Sequence, residues 1–430
     1  MGQRRIAVGI AALVLATTMT TAVGAAATGG GSPLGARQRT GIRKINHVVV
    51  MMQENRSFDS YYSQLHFEGQ PNVGAEPNKP NPNPLDPNAP GISPFHQTQL
   101  CSVADLNHSW NGTHAEWNGG RMDGFTAANT TSSDPTGSRT MGYYDQQQLP
   151  YYYALANTFG IGDRYFSSVL SQTFPNRFYL AAGTSFGHIR NDLAVFPQKT
   201  VFREMDEANP PISWKLYVSS FSVFQLFEDV QQHASNVVPI SQYYTDAANG
   251  KLPQVAFVES SPFGSVNQET DEHPPANIQV GEKFTHDVIA ALMQSPNWRS
   301  SAMFLTYDEH GGFYDHVRPP RAPVPDNIGP ILVPGDTPAR FDRYGIRVPA
   351  IVISPFAKAH YVSHVVYDHT SILRFIEARY GLPAMTKRDA AASPMLDFFN
   401  FSHPTFRQPP FLPDAPIDPA GAAACSALHP

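Results

Sequence analysis

The sequence predicts an α/β fold whose main strands are covered on both faces. Three short apolar runs support this, at Val48–Met52, Val255–Ser260 and Ala302–Tyr307. Apolar runs of this length, rich in β-branched or aromatic residues, are typical of strands buried between helices. An amphipathic stretch at Glu282–Gln294 predicts a helix between the last two runs. No break in composition divides the 430 residues, so we expect one large domain.

The first 27 residues predict an export signal. Arg4 and Arg5 supply a positive start, and the apolar segment Ile6–Ala16 is shorter than a usual bilayer span. Small residues at Ala25–Ala27 suit cleavage, which would make the protein secreted or periplasmic. An uncleaved anchor is the alternative. Residues 28–42 begin with Gly, Ser and Pro and predict a flexible lead-in.

Charge and cysteine content limit the expected partners. The formal net charge of −6 argues against nucleic acid, because proteins that bind it are usually basic. Cys101 and Cys425 are the only cysteines, which argues against a cysteine metal site or a disulfide framework. In an exported protein the two could pair, although sequence alone does not show that they meet.

Polar residues follow the first strand abruptly. In open α/β sheets, ligands bind just beyond the carboxyl ends of the strands, where Glu54 and Asn55 would stand. A carboxylate beside a carboxamide offers hard oxygen ligands to a divalent cation, and Asn55 can also donate to an anion. The alternative is a polar turn that merely closes the strand.

Two loops are expected near this site. Residues 70–94 are rich in Pro and Asn, which excludes a helix or a central strand and predicts a surface loop over the site. Residues 105–125 hold His108 and His114 among glycines, asparagines and tryptophans. Two histidines in such an irregular loop predict that at least one belongs to the site.

A hydroxyl group lies at the start of a predicted helix. Pro175 suits the first turn of a helix that continues through Leu180. Thr173 would then lie near its N-cap, where free backbone N–H groups and the helix dipole favour an anion. Plain capping by Thr173 is the alternative, and Ser171 is the rival nucleophile.

The strongest local signal follows the strand at Ala302–Tyr307. Asp308, Glu309 and His310 come directly after it, before a Gly pair that permits close backbone approach. Adjacent carboxylates repel each other unless a cation or a proton lies between them. The segment Asp271–Pro274 follows its own strand in the same way.

The remaining stretches complete the domain. We expect a second Pro-rich loop at Arg318–Phe341, a core strand at Val348–Ser354 and a helix at Thr370–Tyr380. Gly381 would end that helix. Residues 403–430 form a Pro-rich tail that we expect to wrap the surface.

Several motifs resemble one family when taken in order. They are QENRSFD at 53–59, SQTFPNR at 171–177, DEHP at 271–274 and TYDEHGGFYDHV at 306–317, supported by VPAIVISPFA at 348–357 and YDHTSILRFIE at 367–377. This set resembles the phosphoesterase family of non-specific phospholipases C and bacterial acid phosphatases, in the alkaline-phosphatase-like superfamily. The resemblance covers residues 43–402. It implies a central, mostly parallel sheet with helices on both faces.

The resemblance also implies roles for individual residues. The implied metal ligands are Glu54, Asn55, Asp308 and Glu309. Thr173 would be the covalent nucleophile. His108 and His273 would contact the phosphate together with Asn55, and one of the two histidines would protonate the leaving group. Such oxygen-rich ligands suit calcium, magnesium or manganese and do not exclude zinc or iron.

The implied reaction is hydrolysis of a phosphate ester through a phosphothreonine. A phospholipase C acting on phospholipids is favoured, and an acid phosphatase acting on small monoesters is the alternative. Larger phospholipases of the family carry an added C-terminal domain, for which this chain ends too soon, so we expect only transient contact with a membrane surface. A sulfatase lacks support because no Cys stands at the nucleophile position, and the full acidic set argues against a non-enzymatic binding protein.

Overall fold

The computed structural model describes residues 35–429, so the expected export signal lies outside the described residues. The strands are His47–Gln53 (β1), Phe95–His96 (β2), Gly142–Tyr143 (β3), Gly160–Gly162 (β4), Trp214–Val218 (β5), Val237–Pro239 (β6), Val255–Glu259 (β7), Ser301–Tyr307 (β8), Ala350–Ile353 (β9) and Tyr361–Ser363 (β10). The α-helices are Ala36–Ile42 (α1), Phe58–Tyr62 (α2), Trp110–Trp117 (α3), Phe125–Ala128 (α4), Pro150–Thr158 (α5), Thr173–Ala182 (α6), Val201–Glu207 (α7), Glu228–Gln231 (α8), Ile240–Ala248 (α9), Ile278–Gln294 (α10), His369–Tyr380 (α11), Lys387–Ala391 (α12) and Pro419–Leu428 (α13).

Eight strands form one central sheet in the order β10-β4-β9-β8-β1-β7-β5-β6. Within the described chain, every neighbouring pair in it is parallel except the two pairs that β9 makes with β8 and β4. The connection from β8 to β9 is a Pro-rich loop without a crossover helix, which suits an antiparallel neighbour. The predicted α/β fold with a mostly parallel sheet is confirmed.

Helices cover both faces of this sheet. Phe257 of β7 packs against Phe202 of α7 on one face, with their rings 5.1 Å apart. Leu216 of β5 lies opposite Phe257 in the register, so its neighbour Tyr217 points to the other face. There Tyr217 packs against Tyr243 of α9. Strands β7 and β8 are buried along their whole length, as their apolar sequences predict.

Two stretches are more helical than predicted. Residues 36–42, in the predicted flexible lead-in, form α1, which ends in buried Ile42. The stretch at 105–125 was expected to be irregular but contains α3 and the first residue of α4, Phe125. Ser109 caps α3, and its side chain accepts a hydrogen bond from the Gly112 N–H at 3.1 Å. Among residues 35–429, no helix has the length and hydrophobicity that a membrane span requires.

The tail returns to the body of the domain through a disulfide bond. Cys101 and Cys425 are paired, with their Cα atoms 5.7 Å apart. Cys425 lies in α13, where it is the buried residue of an otherwise accessible helix. Asp418 caps α13 and its N–H donates to Gln279 Oε1 at 2.8 Å. The Pro-rich tail therefore ends in a helix held near residue 101.

Candidate active site

The candidate active site lies where three neighbouring strands end. Strands β7, β1 and β8 are adjacent and parallel, so their carboxyl ends open at the same edge of the sheet. Gln53 lies opposite Tyr307 in the register, and the next residues along the two strands are Glu54 and Asp308. Glu259 ends β7 beside them. Sheet register therefore brings three carboxylates together.

Arg177 of α6 is the counter-ion of this carboxylate cluster. Its guanidinium nitrogens lie 3.1 Å from Glu54 Oε1, 2.8 Å from Glu259 Oε2 and 3.2 Å from Asp308 Oδ2. Burial raises the pKa of both Glu259 and Asp308, and the attraction of Arg177 opposes this only in part. Three carboxyl groups therefore share one guanidinium, and Asp308 and Glu259 retain their protons to a higher pH than free carboxyl groups do.

Asn55 has an uncommon backbone conformation and no side-chain partner. Its φ of 64° lies in the left-handed region, and its N–H donates to Asp308 Oδ1 at 3.2 Å. Gly311 approaches so closely that a Cβ there would lie 2.4 Å from the Asn55 carbonyl oxygen. The Asn55 carboxamide is buried, and within the described chain neither its oxygen nor its nitrogen has a hydrogen-bond partner. Buried polar groups are rarely unpaired, so Asn55 indicates a ligand position.

Glu309 is held by a buried chain of polar contacts. Its Oε2 accepts from the Gly311 N–H at 2.7 Å and lies 3.3 Å from His310 Nδ1. His310 Nε2 lies 2.7 Å from a carboxylate oxygen of Glu116 in α3. Burial would lower the pKa of His310, but Glu116 and Glu309 outweigh this and raise it to about 9. The other Glu309 oxygen, Oε1, has no hydrogen-bond partner among residues 35–429 and lies 3.9 Å from His108 Nε2.

Thr173 begins α6 and lines the cavity in front of the carboxylates. The cavity has a volume of about 490 Å³ and is also lined by His273. Thr173 is the first helical residue and Gln172 is the N-cap, so Thr173 lies one residue further into the helix than predicted. Ser171 is fully buried and its hydroxyl donates to the Ile189 carbonyl at 2.8 Å. Thr173 thus reaches the cavity, whereas the Ser171 hydroxyl is engaged in the core.

The start of α6 offers fewer free donors than the sequence suggests. The Phe174 N–H donates to Asn191 Oδ1 at 2.8 Å, and Pro175 has no N–H. The Asn176 N–H donates within the same turn, at 3.4 Å. The expectation that the N–H groups after Thr173 stand ready for a phosphoryl group is therefore wrong. The helix dipole remains, and direct donors must come from other residues of the site.

His108 and His273 lie together at the site. Their rings meet edge to face with centroids 5.7 Å apart. Asp105 lies near both, with carboxylate oxygens 3.7 Å from His108 Nδ1 and 3.8 Å from His273 Nε2. Burial would lower the pKa of His273, but Asp105, Glu54 and Asp271 raise it above its usual value. Near neutral pH, His273 is therefore protonated more often than a free histidine.

Two other residues of the predicted clusters do not line the candidate cavity. His114 lies within α3 with its Nδ1 2.7 Å from the Trp110 carbonyl, and its ring packs on that tryptophan. Of the two histidines in residues 105–125, His108 joins the site and His114 does not. Glu272 is buried and accepts hydrogen bonds from three tyrosines. They are Tyr61, Tyr152 and Tyr307.

His369 supports the backbone that follows β8. Its Nε2 lies 2.7 Å from the Asp308 carbonyl oxygen, and the Tyr165 hydroxyl lies 3.1 Å from its Nδ1. Burial lowers the pKa of His369 to about 3, so the ring is neutral and can donate to that carbonyl. It positions Asp308 without adding charge to the site.

Comparison with known proteins identifies the family. The family model for phosphoesterases matches residues 45–383. The chain belongs to the phosphoesterase family. It is 32% identical over 414 residues to the non-specific phospholipase C1 of Arabidopsis thaliana, across 89% of this chain and 77% of that protein. It is 33% identical over 414 residues to phospholipase C A of Mycobacterium tuberculosis, across 84% of this chain and 78% of that protein.

This phosphoesterase is a hydrolase that acts on phosphoric ester bonds, as its motifs predict. A solved structure with detectable similarity is a protein in the alkaline phosphatase superfamily from Vibrio parahaemolyticus. The structural alignment covers 81% of this chain and 69% of the Vibrio protein, with a TM-score of 0.37 and 9% sequence identity. Similarity this weak supports no conclusion about function.

The candidate site of this phosphoesterase fits a divalent cation. Asn55 and Glu309 carry buried polar atoms without hydrogen-bond partners in the described chain, and both offer oxygen ligands. Glu54, Glu259 and Asp308 share the charge of Arg177, and a cation beside them would favour the ionised form of Asp308. Asp105, His108 and His273 form a second group whose ligand atoms lie within 4.8 Å of one another.

Three residues of the candidate site were not singled out in the sequence. Arg177 lies one helical turn after Thr173, and Glu259 ends a buried strand. Both residues could therefore have been predicted to lie near the site from their positions in the sequence. No local sequence pattern predicts that Glu116 belongs to the site, because it contacts His310 only when α3 folds against the segment after β8. Contacts of that kind depend on long-range packing.

Replacing Arg177 tests its role as counter-ion. Arg177→Ala would leave two buried carboxyl groups, Glu259 and Asp308, and half-buried Glu54 without a positive partner. The free energy of unfolding should therefore fall by about 3–5 kcal/mol. Arg177→Lys should recover part of this loss, because it restores the charge without the planar guanidinium. Urea unfolding followed by circular dichroism measures both.

The control for this prediction is Arg321→Ala. Arg321 is 78% exposed and pairs with Asp342 at 3.0 Å. Its loss should change the free energy of unfolding by less than about 1 kcal/mol. If Arg177→Ala proved as harmless as this control, Arg177 would not be the counter-ion of the cluster.

Proposed function

We propose that this phosphoesterase is an exported, metal-dependent phospholipase C. It would cleave the phosphodiester on the glycerol side of a phospholipid and release diacylglycerol and a phosphorylated head group. The observation that carries the proposal is a cavity lined together by Thr173, Glu54, Arg177 and His273. The relatives named phospholipase C favour a phosphodiester substrate. Export rests on residues 1–27 alone.

Thr173 supplies the attacking oxygen in this mechanism. Its hydroxyl oxygen bonds to phosphorus while the bond from phosphorus to the glycerol oxygen breaks, which gives a phosphothreonine and diacylglycerol. The N-terminal end of α6 favours the negative phosphoryl group through the helix dipole. Asp271 lines the same cavity, and burial raises its pKa to about 8. Its ionised form is therefore a stronger base than a free carboxylate and accepts the proton that Thr173 gives up.

The phosphoryl oxygens need donors and positive charge. The Asn55 carboxamide nitrogen has no partner within residues 35–429 and can donate to one of these oxygens. When bound by Glu54, Asn55, Asp308 and Glu309, a divalent cation supplies charge that lowers the pKa of a neighbouring hydroxyl and neutralises phosphoryl oxygens. His108, beside Glu309, is a further donor.

His273 protonates the leaving group in our assignment. It lines the cavity with Thr173, and its raised pKa favours the imidazolium form that gives a proton to the glycerol oxygen. The neutral imidazole then takes a proton from water as the water oxygen attacks phosphorus. The bond from phosphorus to Thr173 breaks, and Asp271 returns the proton to the Thr173 oxygen.

Substrate preference tests the proposed function directly. We expect hydrolysis of phosphatidylcholine, with diacylglycerol as the lipid product, to be faster than hydrolysis of a simple chromogenic monoester. Mass spectrometry of the lipid product and phosphate release from the monoester give the two rates. A monoester rate several orders of magnitude higher would instead make the protein an acid phosphatase.

Thr173→Ala tests the covalent route. Losing the nucleophile should reduce turnover by more than ~10³-fold, while Thr173→Ser should keep part of the rate. Ser171→Ala is the matched control and should cost far less, because the Ser171 hydroxyl is engaged with Ile189. Acid quenching and peptide mapping should find the phosphate on Thr173. A phosphate on Ser171 would refute the assignment.

Metal removal tests the cation site. Dialysis against a chelator should abolish activity and lower the melting temperature, because a ligand bound to the native state stabilises it. Glu309→Gln should reduce the metal content measured by plasma mass spectrometry, whereas Thr173→Ala should leave it largely intact. Full activity in a sample shown to lack metal would contradict the proposal.

A further inference from the structure

Large hydrophobic side chains are exposed mainly in one part of the molecule. Fifteen such side chains are exposed within residues 35–429, and eight of them fall in residues 193–195, at residue 263 and in residues 324–333. We call these eight the apolar rim. They are Leu193, Val195, Phe263, Val324, Ile328, Ile331, Leu332 and Val333. Isolated exposed apolar residues are ordinary, but a concentration of them indicates an interaction surface.

The apolar rim borders the catalytic cavity. Leu193 and Phe263 line the same cavity as Thr173 and are 81% and 64% exposed. Asn191 lies two residues before Leu193, and its Oδ1 accepts a hydrogen bond from the Phe174 N–H at the start of α6. The rim therefore begins at the cavity wall and is tied to the helix that carries the nucleophile.

The second Pro-rich loop brings the rest of the rim to the same segment. The Ile331 N–H donates to the Gly187 carbonyl at 2.8 Å, and a Cβ at Gly187 would lie 3.0 Å from the Ile331 side chain. Arg190 forms an ion pair with Asp336 of the same loop. The segment 187–195 therefore contacts the tip of this loop through its first residues and forms part of the cavity wall through its last residues.

Arginines gather at the base of this loop. Arg321, Arg340 and Arg343 line one cleft together with Trp117, and the Arg343 guanidinium lies 4.7 Å from the Trp117 ring. Burial lowers the pKa of Arg343, the positive charges of Arg318 and Arg321 lower it further, and Asp342 of the same cleft opposes them in part. An anion would relieve this repulsion, although the whole chain carries a net charge of −6.

We propose that the apolar rim and these arginines form the surface that docks on a phospholipid bilayer. Exposed aliphatic side chains enter the boundary between head groups and acyl chains, and arginines attract anionic head groups. Docking in this way would hold the Thr173 cavity against phosphates that lie at the same boundary. This inference rests on the proposed phospholipase C activity and identifies how the site reaches its substrate.

Vesicle binding and a comparison of two substrates test the docking surface. The test variant is Leu193→Ser combined with Ile331→Ser, and the control is Phe411→Ser, which removes a side chain that is 93% exposed outside the rim. Binding is measured by sedimentation with vesicles of equal parts phosphatidylcholine and phosphatidylglycerol. Hydrolysis is measured on these vesicles and on monomeric dibutyryl-phosphatidylcholine. Circular dichroism melting shows that each variant is folded.

We expect the double variant to bind vesicles at least ~10-fold more weakly than wild type. The ratio of its vesicle rate to its soluble rate should fall by a similar factor, and Phe411→Ser should match wild type. Arg321→Gln should weaken binding to these vesicles and reduce its dependence on salt. Vesicle binding and a rate ratio within twofold of wild type in the folded double variant would overturn the docking surface.

Other outcomes separate this inference from the proposed function. If wild type binds vesicles through the rim but hydrolyses neither lipid, the phospholipase proposal fails and the docking surface stands. If wild type hydrolyses both lipids and the rim variants behave like wild type, only the docking surface fails. If light scattering shows that the rim variants lose a dimer that wild type forms, the surface belongs to a second copy of the chain and the inference is wrong.

Discussion

The convergence of like charges at three adjacent strand ends is the constraint on which the site depends. Glu259, Glu54 and Asp308 are forced together by the register of β7, β1 and β8, and Arg177 is the cation that meets all three. Because Arg177 lies one helical turn after Thr173, the counter-ion and the candidate nucleophile share α6. The need for a positive counter-ion at this edge of the sheet therefore also determines where the Thr173 hydroxyl lies.

Much of this architecture is readable from the sequence, because it follows from local patterns. Unbroken apolar runs mark β1, β7 and β8, and a polar residue directly after a buried parallel strand must lie at the ligand-binding edge. The same rule places Glu54 with Asn55, and Asp308 with Glu309, beyond their strands, while the family resemblance implies that the four form one metal site. Pro175 likewise located the start of α6 to within one residue.

The rest depends on contacts between segments far apart in the chain. The Asn191 side chain accepts a hydrogen bond from the Phe174 N–H. Glu116 forms a hydrogen bond with His310, which lies almost two hundred residues later in the chain. No local sequence pattern predicts either contact. Glycine-rich and aromatic residues at 105–125 predict an irregular loop, but a serine cap and a hydrogen bond from the Trp110 indole N–H to the Thr337 carbonyl stabilise α3 there. Tertiary contacts override weak local preferences in such stretches.

The disulfide bond between Cys101 and Cys425 has a topological consequence. It closes a covalent ring that contains Thr173, Arg177, His273 and Asp308, while β1 and Glu54 lie on the arm outside it. One peptide-bond cleavage in the exposed loop at 324–333 would open the chain without releasing a fragment, because the bridge still joins the two parts. Loss of material from within the ring requires two cuts, so a protease must find a second accessible site before the molecule comes apart.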